Sequence, residues 1–600
     1  KNVISVLLIP SKSPCWSRPP YWALGVLSCA AIHSAAQAQV DPGVLNPGLQ
    51  QQQQLQDQQF QRLPDVQREA QPPLIREEEA PAQDGAGDPE LKINRVVIQG
   101  ARVVSADTIQ SVFEPILDKV IRFKQLQAVL DQASNLYRDA GYFTSRVVIP
   151  QGGLKDGVLT LVAVEGYLDQ VDVVGKGSPA LKRWVQSYLA PILSTAARPK
   201  PIRFSELERQ ILLLQSVGGL RFSSTLAQGQ QFAASKLILD LDPYYASGSL
   251  NINNNVQPQL GNFQVVAQAQ ANLLSLWQPV QFDLYGSNAF PYGGGSASGN
   301  VGFSTPITNS GLTLSANGSL TSTSSTPAPI PLGDGSSVDF TSGGESWLGS
   351  LSLRYPLILS RTASLGVSLS GEVQNATSNT YVDQQLAVSN PSRLRVVRLG
   401  VDGTLSTPFY ASSANLQISQ GLPIANAIDS VTLADTNGSL PYGSVSYTSA
   451  RLTLRHQQRV AATNTFVTLT GLGQLSSTTL PGPEDFSYGG PFLGRAYRGS
   501  YIIGDQGAAA GIELSHAFYA SNWSLTPFLF ADYGVASNNG LVLTPDQYSA
   551  ASYGLGLRGG IGSFSNYELG WAVPAGSYPA SAGRAGVSNS IVYFRAGLTF

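Results

Sequence analysis

Reactive side chains are scarce in this sequence. Its two cysteines, Cys15 and Cys29, both lie within the first 38 residues. The rest of the chain therefore offers no disulfide, no thiol nucleophile and no cysteine-ligated metal. Beyond residue 38 the histidines are His456 and His516, far apart in sequence. A lone histidine in a β-rich chain is more often packed than a base or a metal ligand. Gly554-Leu555-Gly556-Leu557-Arg558-Gly559 satisfies the GxGxxG spacing. No βαβ pattern surrounds it, so it reads as small residues within a strand. Spacing singles out no carboxylate pair. The expectation is a chain without catalysis, cofactor or metal. One other stretch joins a charge to a run of glycines: Gly489-Gly490, Gly494-Arg495-Ala496-Tyr497 and Gly504-Asp505-Gln506-Gly507.

The elements around that stretch are strands. Only 13% of the 600 residues are charged, against about a quarter in a soluble domain. No later segment has ~18 consecutive apolar residues, so a transmembrane helix is not expected. Beyond Tyr244 apolar and polar residues alternate, as in Val280 to Leu284, Phe466 to Leu472 and Trp523 to Phe530. Loops such as Thr321 to Ser337, rich in Ser, Thr, Pro and Gly, separate them. In the last segment Val592, Phe594, Ala596, Leu598 and Phe600 share one face. A soluble sandwich would also alternate. Alternation sustained over residues 244–600 favours a closed barrel, which leaves no strand edge in lipid. Its length suits about 16 strands of roughly 9–11 residues each.

The segment before the barrel changes texture twice. Lys1, Lys12 and Arg18 precede an apolar run from Tyr21 to Ile32 and small residues at Ala36-Gln37-Ala38. Residues 1–38 read as a secretory signal peptide. With those three basic residues set aside, the chain is net acidic, which argues against nucleic acid as a partner. Residues 39–90 are rich in Gln, Pro and Glu and read mainly as a linker, with room for a short helix around Gln50 to Arg62. Residues 91–166 then follow a β-α-α-β-β order. Leu126, Val129, Leu130, Ala133, Leu136 and Tyr137 recur at helical spacing before Gly141. Residues 167–243 repeat the pattern, with Ser205 and Glu208 as a capping box for a helix. Such a repeat means tandem α+β modules.

These residues carry a resemblance. The helix end Leu136-Tyr137…Gly141-Tyr142-Phe143 and the strand Gly157-Val158-Leu159-Thr160-Leu161 with Val164-Glu165-Gly166 look like a POTRA domain. A second such module follows through Arg209 to Leu214 and Gly218-Gly219-Leu220. The stretch around Arg495 is similar to the Arg-Gly-Tyr…Gly-Asp loop of the TpsB family, the outer-membrane transporters of two-partner secretion. Ala496 stands where that family usually has Gly, and Gly494 where Val is common. The resemblance implies a linker at 39–90 with room for a plug helix, two periplasmic POTRA modules, at 91–166 and 167–243, and a barrel at 244–600. It implies a loop motif of Arg495, Ala496, Tyr497, Gly504, Asp505 and Gly507, folded back into the lumen. Arg495 would pair with Asp532 on the strand motif Phe530-Ala531-Asp532-Tyr533-Gly534, and Phe600 would be the insertion signal. A pore-lining arginine is the competing reading, and Arg498 competes for the register. The implied partners are a large secreted exoprotein, outer-membrane lipids and lipopolysaccharide, and the barrel assembly machinery. A barrel-assembly factor like BamA or TamA, a passive porin and a secreted adhesin are the alternatives.

Overall fold

The computed structural model describes residues 46–61, 76–77 and 88–600, apart from 258–259, 277, 291–294, 326–329, 332–336, 434–438, 442, 540–546, 563 and 576–589. The expected signal peptide at 1–38 lies outside the described residues.

The first module is built around a parallel pair, Arg95–Gln99 against Val158–Val164, with Arg146–Val148 on the other side. Ser105 caps the helix Ala106–Ser111 by accepting a hydrogen bond from the Thr108 amide. The helix Phe123–Asp139 buries Leu126, Ala133 and Tyr137, on one face as their spacing requires. Chain reversal follows at Gly141, whose φ of +86° suits glycine. The Tyr137 hydroxyl donates to Glu165 at 3.2 Å. Burial and that carboxylate push the hydroxyl above its ordinary pKa.

The second module repeats the plan. Tyr167–Gly175 lies parallel to Ala234–Leu241, which pairs antiparallel with Phe222–Gln228. The short strand Arg76–Glu77 lies parallel to Phe222–Gln228. Helices Pro179–Leu189 and Phe204–Gln215 cover the sheet and bury Val185, Leu207 and Ile211 among others. One expected detail is corrected here: Ser205 and Glu208 form no capping box. The helix starts at Phe204 with Arg203 as its uncapped N-terminal residue. Phe204 is drawn into the first turn by the other module: its amide donates to the Gly141 carbonyl and its ring meets Phe143 edge-on at 5.5 Å. Glu208 instead accepts the Arg361 amide at a barrel turn.

Sixteen antiparallel strands close the barrel. The first, Ala246–Asn253, pairs with the last, Ile591–Thr599. Outward residues are apolar and exposed, for example Leu416, Ile418, Leu529, Leu555 and Leu598. Inward neighbours are small or polar over much of the wall, the order a lipid-facing wall with a polar lumen requires, and Phe528 and Phe530 face inward where the loop docks. Several strands exceed the ~9–11 residues needed to cross a bilayer: Gln385–Ser406 has 22. The expected loop Thr321 to Ser337 is accordingly shorter. The strand Thr313–Ser325 continues through its first five residues and pairs as far as Ser325 with Ser342. Ser and Thr read as loop by composition, but a partner strand satisfies their backbone there. The second module sits against the barrel's near turns, where Arg209 donates to the Ser310 and Pro356 carbonyls.

Candidate functional site

The link between the strands Thr465–Ser476 and Gln506–His516 folds into the barrel. Phe486–Tyr488 and Ile502–Gly504 pair as a small hairpin, and the glycine-rich stretch forms its tip. Apolar packing holds it on the wall. Tyr488 lies over Gly534, where any side chain would overlap its ring. Tyr497 stacks on Tyr501 with ring centres 4.1 Å apart, and its hydroxyl donates to the Ala551 carbonyl at 3.0 Å. Ala496 is buried in the same cluster.

At the tip, Arg495 meets Asp532 in a forked arrangement. Nη2 lies 3.1 Å from Oδ1, and Nε lies 3.2 Å from Oδ2. The amides of Gly494 and Arg495 also donate to Asp532 Oδ2, each at 3.2 Å, as does the Ser552 hydroxyl. The Arg495 Nη1 donates at 2.6 Å to a second carboxylate, Glu513. Glu513 is shared with Arg558. The Arg495 guanidinium carbon lies 3.7 Å from the centre of the Phe530 ring, within cation–π range. Two cations and two anions thus balance, with Asp532, Arg495 and Glu513 largely buried, where an unpaired charge would be costly, and Arg558 at the open side. Asp532 has no side-chain exposure and Arg495 has 9%.

The other residues singled out by sequence serve the same loop. Gly504 lies against the Ser537 backbone and Gly507 against the Phe486 ring; a Cβ at either would clash. Asp505 accepts the Leu480 amide and, at 2.6 Å, the Asn539 amide, fastening the hairpin to the neighbouring loops. Gly494 has φ +79° beside the Gly489 backbone and the Tyr488 ring. A β-branched residue tolerates that conformation poorly, which accounts for glycine at this position. Phe530, Asp532 and Gly534 all face inward. Phe600 extends the closure, exchanging backbone hydrogen bonds with Gly248 at 2.9 and 2.8 Å. Arg498, the register competitor, makes no ion pair among the described residues, and its Nε has no hydrogen-bond partner. His456 and His516 bond only to the hydroxyls of Ser412 and Thr465 in the described contacts. The GxGxxG run lies within the strand Gln547–Ile561, where Gly554 and Gly556 make room for the Phe530 and Phe528 rings.

Sequence reading missed one residue of the site. Glu513 was not singled out, although an isolated acidic residue at an inward position of a small-residue strand is a signal. The helix Pro47–Gln61 lies inside the barrel, against the strands that include Ser319, Ser346 and Gln374. Gln51 bonds to Ser319, Ser346 and Gln374 at 2.5, 2.8 and 3.1 Å. A run of glutamines suits that position, since each side chain both donates and accepts in a polar lumen.

A polar-lumen barrel holding a helix and an arginine-anchored loop, behind two α+β modules, defines a plugged outer-membrane barrel. A profile of the haemolysin secretion/activation proteins ShlB/FhaC/HecB matches residues 237–559, and one of the ShlB-type POTRA domain matches 91–166. The chain belongs to this family of outer-membrane protein transporters of two-partner secretion. Its barrel lies in the outer membrane and its N-terminal modules in the periplasm. The outer membrane transporter CdiB of Escherichia coli is 24% identical over 557 residues, covering 92% of this chain and 89% of that protein. The hemolysin transporter protein ShlB of Serratia marcescens is 24% identical, covering 74% and 75%. The solved structure of CdiB from Escherichia coli shares the fold, with TM-score 0.66 and 20% identity, covering 94% of this chain and 99% of that one.

Proposed function

We propose that this chain exports one large secreted protein, rich in β-helix, of the haemolysin or adhesin kind. The observation that carries this reading is the double obstruction of the lumen. Helix and loop are both held by side-chain contacts that can be released without unmaking a barrel strand. A passive porin has no need of such a device or of two modules ahead of it. Residues 91–166 and 167–243 capture the unfolded partner in the periplasm, by strand addition at a sheet edge beside an apolar groove. Arg495 with Asp532 holds the loop in the resting state, and Ala496, Tyr497, Gly504, Asp505 and Gly507 shape it. Phe530 and Gly534 form the wall that receives it. Residues 1–38 direct the chain to the envelope, and residues 39–90 are plug helix and tether. Phe600 marks the last strand for the barrel assembly machinery, and the outer wall contacts lipid and lipopolysaccharide. The chain catalyses no covalent step, so folding of the product outside biases its movement.

The test is co-expression with a candidate large secreted protein, sought first among the open reading frames beside this gene, reading its appearance in the medium. Deleting 91–166 is expected to stop export while the barrel reaches the outer membrane at its usual level. Export by the truncated chain would overturn the capture role. Loss of other barrels from the membrane, with export intact, would favour an assembly factor.

A further inference from the structure

The plug helix and the inward loop are separate obstructions, yet they meet at a second buried charge cluster. Its centre is Arg398, on the strand Gln385–Ser406, with a side chain 9% exposed. Its Nε and Nη2 donate to Glu372 on the adjacent strand at 3.2 and 2.9 Å. Nη1 and Nη2 donate to Glu484 at 3.0 and 2.6 Å, and Nη1 also to the Ser419 hydroxyl at 2.8 Å. A guanidinium has five N–H donors, and five bonds are made here. Glu484 belongs to the short turn Gly482–Glu484 at the base of the loop. None of these side chains takes part in the Arg495 cluster.

The helix completes this arrangement. Gln52 Nε2 donates to Glu372 Oε1 at 3.0 Å. Gly48 packs on Pro483 in the same turn, so closely that a Cβ would come within 2.7 Å of its ring. Further along, Gln53 Nε2 donates to the Gly489 carbonyl at 2.8 Å and its Oε1 accepts from Ser500 at 2.7 Å. The helix thus touches the loop at its base and on both arms of its hairpin.

We infer that Arg398 is a positioning residue that couples the plug to the loop. Through Glu372 it holds a ligand of the helix, and through Glu484 it holds the loop base. When Glu484 withdraws, the freed N–H groups of Arg398 sit in a nearly dry site. Glu372 is then the remaining carboxylate that can satisfy them, and serving them takes it from Gln52. Departure of either obstruction therefore loosens the other. This rests on the reading of the chain as a gated exporter and says how its gate is coordinated.

The test uses the full chain alone in planar lipid bilayers, with no exported partner, so its failure leaves the export reading standing. Single-channel recordings compare the parent with Gln52→Ala, Glu484→Gln and the double variant. Heat-modifiable migration confirms a closed barrel. Each single change is expected to raise the ratio of open to closed time roughly tenfold, which is about 1.4 kcal/mol. The double change is expected to add little to either single, since both act on one cluster. A ratio unchanged in the singles, or effects that multiply to about a hundredfold, would overturn the coupling. Arg398→Gln is expected to match the double variant. Should it fail to assemble, the Gln52 and Glu484 cycle still decides, because neither residue lies in a barrel strand.

Discussion

Replacing Arg495 by alanine removes the loop's main polar anchor, and the expected size of the effect follows from what stays behind. The substitution deletes the forked contact with Asp532, the 2.6 Å contact with Glu513 and the stacking on Phe530. Breaking a buried ion pair costs about 3–5 kcal/mol, mostly because a charge is left without its partner. Here neither carboxylate is left bare. Asp532 keeps two backbone amides and the Ser552 hydroxyl, and Glu513 keeps Arg558. The low end applies, about 3 kcal/mol, or roughly a 150-fold shift of the loop from docked to released. The barrel strands are untouched, so the folded form is expected at its usual level. Bilayer recordings and cleavage of the loop by protease added from outside measure the release, and partner export falls away. Arg495→Lys keeps the charge without the planar fork and is expected to lie between. If Arg495→Ala gives a folded barrel with unchanged conductance, protease resistance and export, the anchoring argument is wrong.

Other outcomes follow from single residues. Exchanging the charges, Arg495→Asp with Asp532→Arg, is expected to recover only part of the export lost by either change. Position 532 also accepts two amides that an arginine cannot accept from, so no recovery at all would speak against pairing as the purpose of the contact. Gly494→Val forces a β-branched residue into φ +79° and is expected to destabilise the docked loop by about 1–3 kcal/mol, read as increased open time; a silent substitution would refute the conformational reason given for glycine. Because the Tyr137 pKa is raised from 10.0, its neutral form is favoured in the folded module. Stability is therefore retained below pH ~10 and falls as pH rises beyond it. Amide exchange in 91–166 should show this loss, and it should shrink in Tyr137→Phe; equal loss in both would exclude the tyrosine as its source.

Much of the architecture was legible because its cause is local. Alternation of outward apolar and inward polar residues, as Ala414, Leu416 and Ile418 alternate with Asn415, Gln417 and Ser419, is a two-residue period legible in the chain itself. The spacing of Leu126, Ala133 and Tyr137 equally announces a helix with one buried face. Where local signals misled, a distant partner intervened. Ser205 reads as a cap, but the contact of Phe204 with Phe143 and Gly141 set the helix start two residues earlier than a Ser205 cap allows. Thr321 to Ser325 reads as loop, but the strand Phe340–Leu359 pairs with it.

The sequence by itself determined two α+β modules, a lipid-facing barrel and one arginine in a glycine-rich loop. Those follow from composition and period, which act over a few residues. Only the tertiary structure decided which other charges meet around the Arg495 and Asp532 pair that the resemblance implied. Closure of the barrel brings Glu513 and Asp532, on adjacent strands, to the same tip as Arg495. It also sets a glutamine helix from the chain's start against Glu372 and the hairpin at Gly489 and Ser500. Such encounters depend on strand register and loop path, and a buried charge finds its partner only when both have been fixed.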